Sequence, residues 1–270
     1  MAPRDLVRLS REGDVATLLF DDPERRNAMS RAMGEAFRER VADLCADPTL
    51  RAVVVSGSGR AFSAGGDLEM LERHATLAAA APGRAWRGIR DEMAGFYRLF
   101  LAVRELPVPT IAAIQGAAIG AGLCVALGCD LRFVASEAQL GLNFARLGLH
   151  PGMAATWTLP RLVGSSTAAE LLFTGRTFDG TEAGRIGLAS RVLPAAEVLP
   201  AALETARTIA EAAPLAVRAI KRALRQSESA SLDDQLQLEA TEQARTFESN
   251  DAREGIAAVR QRRSPRFEGR

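Results

Sequence analysis

Residues 116–130 read GAAIGAGLCVALGCD. The run follows residues of β character, Thr110-Ile111-Ala112-Ala113-Ile114, meets glycines at Gly116, Gly120 and Gly122, and passes into an uncharged apolar segment over 123–127. Glycine lets the backbone come close to a ligand or a neighbouring element. A helix opening at such a turn also points unpaired N–H groups outward, where they can hold an anion or a developing oxyanion. The stretch therefore reads as a strand, a glycine turn and a helix whose first amides form a donor site for a carbonyl oxygen.

Working outward, residues 6–9 and Val15–Phe20 predict two strands about the turn Glu12-Gly13-Asp14. Ser30 reads as an N-cap, with Met33, Phe37, Val41 and Leu44 following at helical spacing. Residues 52–55 predict a buried strand, followed by the glycine-rich loop GSGRAFSAGGD and a short helix near Asp67. Residues 74–85 are rich in alanine and broken by Pro82 and Gly83, which fits a mobile loop or a frayed helix. Ile89, Met93, Phe96, Phe100 and Val103 form a helical stripe, and Leu131–Ala135 reads as another strand. After Pro194 the pattern is almost wholly helical. Pro214 suits a first helical position, Ser231 with Asp234 resembles a capping box, and Asn250 is placed to cap a last helix. Strands alternating with helices, then helices alone, predict an α/β core over 1–194 and a helical region over 195–270.

Composition narrows the class. Hydrophobic residues make up 47% and charged residues 25%, globular values that predict a sizeable core. A formal net charge of +1 argues against a nucleic-acid or membrane partner held by bulk electrostatics. No apolar run reaches the roughly 18 residues of a spanning helix, and MAPRDLVRLS lacks the apolar core of a signal peptide. Cys45, Cys124 and Cys129 fit neither a disulfide framework nor a zinc site. A cytoplasmic, soluble protein without a metal is the expectation.

A second glycine junction, Ser63-Ala64-Gly65-Gly66-Asp67, matches Gly120-Ala121-Gly122 in kind. Two such junctions brought together could aim two backbone N–H groups at one oxygen. Other readings of the same residues are weaker. Ala61-Phe62-Ser63-Ala64-Gly65 approximates a nucleophile elbow, but loop residues Gly57-Ser58-Gly59-Arg60 separate the serine from its strand. Gly120-Ala121-Gly122 starts like a dinucleotide fingerprint, yet Val125 stands at the third glycine's place.

The runs PERRNAMS, GRAFSAGGDL, PVPTIAAIQGAAIGAGLCVALGCDLRF, LGLHPGMAATWTLPRLVG and ELLFTGRTFDGTEAGRIGLASRV, in this order, resemble the crotonase (enoyl-CoA hydratase/isomerase) superfamily. The match is collinear over about 7–267. It implies a spiral of ββα units with a C-terminal helical trimerisation region, assembled as a homotrimer or a hexamer built from two trimers. It implies acyl-CoA thioesters as ligands, coenzyme A entering as part of the substrate rather than as a resident cofactor. By the same resemblance the oxyanion donors would be the N–H groups of Gly66 and Ala121. Arg25, Arg26, Ala28, Ala64, Asp67 and Leu68 would contact coenzyme A, and Arg262 would reach the phosphates of a ligand on a neighbouring subunit.

The acid and base positions depart from the family. Hydratases of the superfamily activate one water with two glutamates, a task that needs groups able to take and return a proton. The resemblance puts those positions at Cys124 and Phe144, and the acid of several isomerases at Gly152. Ordinary crotonyl-CoA hydration is therefore expected to be slow or undetectable. His150, in LGLHPGM, is the first candidate to move a proton, and His74, facing pocket or solvent, is the second. Glu69 and Glu72 read as surface charges and Asp130 as a structural carboxylate, while Asn143, Arg146 and Trp157 are candidates for shaping the acyl pocket. A non-catalytic acyl-CoA-binding homologue, a thioester hydrolase and a decarboxylase remain as alternatives.

Overall fold

The computed structural model describes residues 5–270. Val7–Glu12 (β1) and Val15–Phe20 (β2) pair antiparallel from Val7↔Phe20 to Glu12↔Val15, with Gly13 at φ 58° supplying the tight turn. Ser30 caps Arg31–Ala46 (α1) by accepting the Met33 N–H, and Met33, Phe37, Val41 and Leu44 are buried. Ala52–Gly57 (β3) is buried along its length and lies parallel to β2. Ala61–Ser63 (β4) then leaves that sheet, and Leu68–Ala80 (α2) and Trp86–Leu101 (α3) follow. The ambiguous 74–85 stretch is thus helix as far as Ala80, then a turn through Gly83 at φ 73°.

The same step repeats. Thr110–Ile114 (β5) joins the first sheet, Ala117–Ile119 (β6) joins a second, and Ala121–Gly128 (α4) closes the unit. Leu131–Ala135 (β7), Leu140–Gly141 (β8), Ala155–Val163 (α5) and Ser165–Thr174 (α6) form another. Thr177–Phe178 (β9), Gly180–Arg185 (α7) and Arg191–Leu193 (β10) end the series. The six-stranded sheet has the order β1-β2-β3-β5-β7-β10 and the four-stranded sheet the order β4-β6-β8-β9. The opening hairpin β1–β2 lies wholly in the larger sheet, and each unit from β3 onward gives one strand to each sheet, which is the spiral of ββα units that the motifs imply. β6, β8, β9 and β10 hold two or three residues each, too few for a period to show in sequence.

Phe20 lies at the centre of the packing, with ring centroids of Phe37 at 5.2 Å and Phe62 at 5.7 Å. Ala195–Ala210 (α8) crosses β3, β5 and β7 and buries Val198, Ala202 and Ala206 against them. Pro214–Ser227 (α9) starts on its proline and is pinned by Lys221, whose Nζ reaches Asp130 at 2.7 Å. Asp130 also accepts the Thr110 N–H and hydroxyl, each at 2.8 Å, so it is the structural carboxylate expected. Burial pushes its carboxyl up, but the Lys221 charge and these hydrogen bonds hold it net below its ordinary value. Leu232–Phe247 (α10) carries the complete Ser231/Asp234 capping box. Asn250–Gln261 (α11) is capped by Ser249, whose hydroxyl accepts the Ala252 N–H; Asn250 is instead its first helical residue. Among the described residues no helix is long and apolar enough to cross a membrane.

Candidate active site

The loop after β4 is held almost amide by amide. The Ala64 N–H donates to the Arg26 carbonyl at 2.9 Å, and the Gly65 N–H donates to the Ser63 hydroxyl at 3.1 Å. The Met29 N–H donates to the Gly65 carbonyl at 2.7 Å, and the Asp67 N–H returns to the Met29 carbonyl at 3.2 Å. These last two bonds make a parallel bridge centred on Gly66. In such a bridge the central residue turns its own N–H away from the partner. The Gly66 N–H has no hydrogen-bond partner among the described residues. Behind the loop, buried Asn27 donates to the carbonyls of Ser58, Ala61 and Phe62 at 3.0, 2.9 and 3.2 Å and accepts the Asp22 N–H at 2.9 Å. Its φ of 55° is one that asparagine tolerates better than most residues.

The second junction abuts the first. β6 runs parallel to β4, Gly120 turns the chain at φ 51° and donates its N–H to the Gly141 carbonyl at 2.8 Å, and α4 begins at Ala121. The first intrahelical bond is Cys124 N–H to the Gly120 carbonyl at 3.1 Å, so the Ala121 amide lies ahead of it without an intrahelical acceptor. A Cβ on Gly122 would fall 2.7 Å from the Ser63 Cβ, and one on Gly65 would fall 2.5 Å from the Ile119 carbonyl oxygen and 3.6 Å from the Ala121 nitrogen. The absence of side chains at these positions is what lets the two loops touch.

Gly66 and Ala121 both border a cavity of about 450 Å³. Its apolar walls come from Met70 and Leu71 on α2, Met93 and Phe96 on α3, and Leu147 and Leu149 on the segment after β8. His74, Tyr97, Asn143 and His150 are its polar side chains beyond the two glycine junctions, and no Asp or Glu borders it among the described residues. A family model described as enoyl-CoA hydratase/isomerase matches residues 10–270. The chain belongs to that family. It is 35% identical over 261 residues to human enoyl-CoA hydratase domain-containing protein 2, mitochondrial, covering 95% of this chain and 86% of that one. The crystal structure of an enoyl-CoA hydratase from Bacillus anthracis superposes with a TM-score of 0.89 at 31% identity, covering 98% of this chain and 100% of the other. One from Polaromonas sp. JS666 gives the same TM-score and identity over 97% and 99%.

Within this crotonase fold the sequence candidates take definite places. Ala64 and Leu68 border the cavity, Leu68 with 67% of its surface exposed. Arg25 and Asp67 pair at 2.8 Å beside the cavity's edge; the hydrogen bond and charge of Asp67 raise the guanidinium's pKa. Arg26 and Ala28 belong to the segment that braces the Gly66 loop, Arg26 through its carbonyl. Arg262 is the left-handed C-cap of α11 and does not border the cavity of its own chain. His150 borders the cavity but is exposed, with Nδ1 donating to the Pro151 carbonyl at 2.7 Å. Asn143 also lines it. Arg146 does not, since its Nε donates to the Thr174 carbonyl; nor does Trp157, stacked with Arg161 at 4.2 Å and Arg104 at 4.9 Å. The buried Ser63 hydroxyl donates to the Asn27 carbonyl at 2.7 Å while holding Gly65, which removes the nucleophile-elbow reading.

Cys124 is buried behind the cavity with Sγ 3.8 Å from the Gly152 carbonyl, and burial pushes its thiol up to about 12. Phe144 presents a ring to the cavity. A Cβ on Gly152 would meet the Tyr97 hydroxyl oxygen at 2.5 Å, so Tyr97 fills the space a side chain there would need. Burial raises the phenol's pKa and keeps it protonated. The sequence does not single out Asn27 or Tyr97: Asn27 lies in a motif whose charged residues draw the reading, and Tyr97 lies off the apolar stripe that marks α3.

Proposed function

We propose that this family member binds an acyl-CoA thioester with its carbonyl oxygen between the Gly66 and Ala121 N–H groups. The observation that carries the reading is the Gly66 amide, without a partner among the described residues, beside the open first turn of α4, both bordering an apolar cavity. Amides aimed at an oxygen that gains charge lower the free energy of an enolate or tetrahedral intermediate. The acyl chain enters between α2 and α3. The coenzyme A portion passes Ala64 and Leu68 toward Arg25, Arg26, Ala28 and Asp67. Exposed apolar residues such as Leu232, Leu236, Ile256 and Val259 suit the helical region 195–270 to joining copies of the chain, and Arg262 would then serve a neighbour's ligand. The assembly expected is a homotrimer or a hexamer.

The reaction is proton transfer next to the thioester rather than ordinary hydration. Hydration needs a carboxylate pair on one water, and no carboxylate borders this cavity among the described residues. With Cys124 holding its proton and Phe144 apolar, turnover of crotonyl-CoA at or above about 1 s⁻¹, the low end of ordinary enzyme rates, would overturn this assignment. The oxyanion assignment has a separate test. Ala121 is the first residue of α4, where proline is well tolerated. Ala121→Pro removes one N–H and is expected to lower the catalysed step about 10²–10³-fold, the effect of losing one oxyanion donor, with folding retained in thermal melts. An unchanged rate would count against it. The missing carboxylates also favour a second reading, an acyl-CoA binder without turnover. Tight binding with no hydration, isomerisation, hydrolysis or α-proton exchange would select that one.

A further inference from the structure

The helix that leaves the Gly66 loop buries one residue, and it is a histidine. α2 starts at its Asp67 cap, and along its 13 residues only His74 is buried, at 7% exposure. An amphipathic helix ordinarily gives that position to an apolar side chain. His74 borders the acyl cavity two turns from Gly66, and its Nε2 lies 3.0 Å from Oε2 of Glu92 on α3. Arg73 binds the other Glu92 oxygen through Nη2 and reaches Oε2 through Nη1 at 3.4 Å. Its Nη2 also lies 3.4 Å from His74 Nε2, but the 3.0 Å carboxylate contact is the shorter one and sets the tautomer. A carboxylate at that distance requires a proton on Nε2, which leaves the lone pair of the neutral ring on Nδ1. The ring's partners, Glu92 and Arg73, both meet Nε2, and Nδ1 has no hydrogen-bond partner among the described residues. His150 differs on each count: exposed, without a carboxylate, and with Nδ1 donating to the carbonyl of the next residue.

We propose that His74 is the base of the acyl cavity and that Glu92 positions it. The proposal rests on the thioester binding at Gly66 and Ala121 put forward above. Nδ1 takes a proton from the acyl α-carbon, and the electron pair of the broken C–H bond moves into the enolate, whose oxygen the two amides hold. The imidazolium faces Glu92. Once its N–H has swapped with solvent, it returns a solvent-derived proton to the α-carbon, giving exchange; with a β,γ-enoyl chain it delivers the proton to the γ-carbon, moving the double bond. Neither water nor an oxidant is consumed. The substrate class is an acyl- or enoyl-CoA whose α-proton is mobilised. Arg73 is the first cause, and His74 the second, of a Glu92 carboxyl pKa held down to about 2, so the carboxylate is charged whenever the base works.

The test follows deuterium from D₂O into the α-carbon of butanoyl-CoA, with affinity for the same ester measured by calorimetry. Wild type is expected to exchange. His74→Gln should lose about 10²–10⁴-fold in rate, the usual worth of a positioned general base, at an affinity within about threefold. Glu92 is partly exposed, so Glu92→Gln should fold without difficulty. It should lower kcat about tenfold or more with KM unchanged, and Glu92→Asp should restore part of the loss. Four results would overturn the proposal: exchange undiminished in folded His74→Gln; kcat unchanged in Glu92→Gln; exchange abolished by His150→Gln while His74→Gln retains it; or tight binding by wild type without exchange. The last leaves the binding reading standing, whereas failure of wild type to bind the ester removes that reading as well.

Discussion

Two parts of the same cavity's lining are built differently. One is main chain: the loop after β4 and the first turn of α4, where the Arg26 and Met29 carbonyls and the Ser63 hydroxyl hold the loop N–H groups and Gly65 and Gly122 leave no room for a Cβ. The other is side chain: His74 from α2, Tyr97 from α3, Phe144 and His150 from the segment beyond β8. A change in the first wall moves backbone. A change in the second replaces one functional group by another on an unchanged frame. A fold made this way can keep a carbonyl-polarising site while the side chains around it change, and on the function proposed above Cys124, Phe144 and Gly152 mark such a change.

The contrast is sharpest within one dipeptide. Gly65 has φ 94°, and an added Cβ would lie 2.5 Å from the Ile119 carbonyl, a backbone atom that cannot swing aside. Gly66 has open space around the same position. Gly65→Ala is expected to destabilise the protein by about 2–4 kcal/mol, a fall in Tm of roughly 5–10 °C for a chain of this size. Gly66→Ala should stay within about 0.5 kcal/mol, the usual span of an exposed substitution. Calorimetric melts of the two variants decide it. Equal shifts would mean that the main-chain wall is not the rigid one.

The same division explains what could be read before any coordinates. Glycines announce places where backbone must turn or approach, so Gly65, Gly66, Gly120 and Gly122 located the main-chain wall from the sequence. The long strands β3 and β5 and the stripes of α1 and α3 were legible because their periods span enough residues. The short strands of the second sheet were not, although that sheet is what carries β4 and β6 side by side. The side-chain wall was harder still. His74 and Glu92 are 18 positions apart and meet only because α2 and α3 fold back on each other at Gly83. Tyr97 meets Gly152 through the same packing. No spacing rule along one chain reports a contact made by two helices turning.

Gly152→Ala probes the softer wall. The added methyl would overlap the Tyr97 hydroxyl and ring at 2.5–2.9 Å, but that side chain can rotate into the cavity. The expected loss of stability is about 1–2 kcal/mol, smaller than for Gly65→Ala. The displaced ring should also weaken acyl-CoA binding by filling the cavity. Tyr97→Phe would leave the crowding in place because the ring carbons clash as well, whereas Tyr97→Ala would relieve it, a coupling that a double-mutant cycle measures. The chain holds one tyrosine, so fluorotyrosine labelling gives a single ¹⁹F line that must move in Gly152→Ala. A line that stays in place would mean that Tyr97 does not occupy this space.

The smallest effect concerns how firmly α2 and α3 are joined. Hydrogen bonds from Arg73 and then His74 hold the Glu92 carboxyl at about 2, below the ordinary glutamate value. A carboxyl depressed by folding contributes stability that is complete above its unfolded pKa of about 4.3 and is lost as pH falls toward the folded value. Arg73 is more than half exposed, and solvent screens the pair, so the contribution is expected to be small. Arg31, Asp67 and Glu69 stand around the same cleft and are present in both proteins. Melts of wild type and Glu92→Gln should therefore differ by roughly 2 °C or less at pH 6 and converge as pH falls from about 4.5 toward 2. A constant difference across that range would mean that the carboxylate's charge does not bind the two helices, and that Glu92 holds His74 by geometry alone.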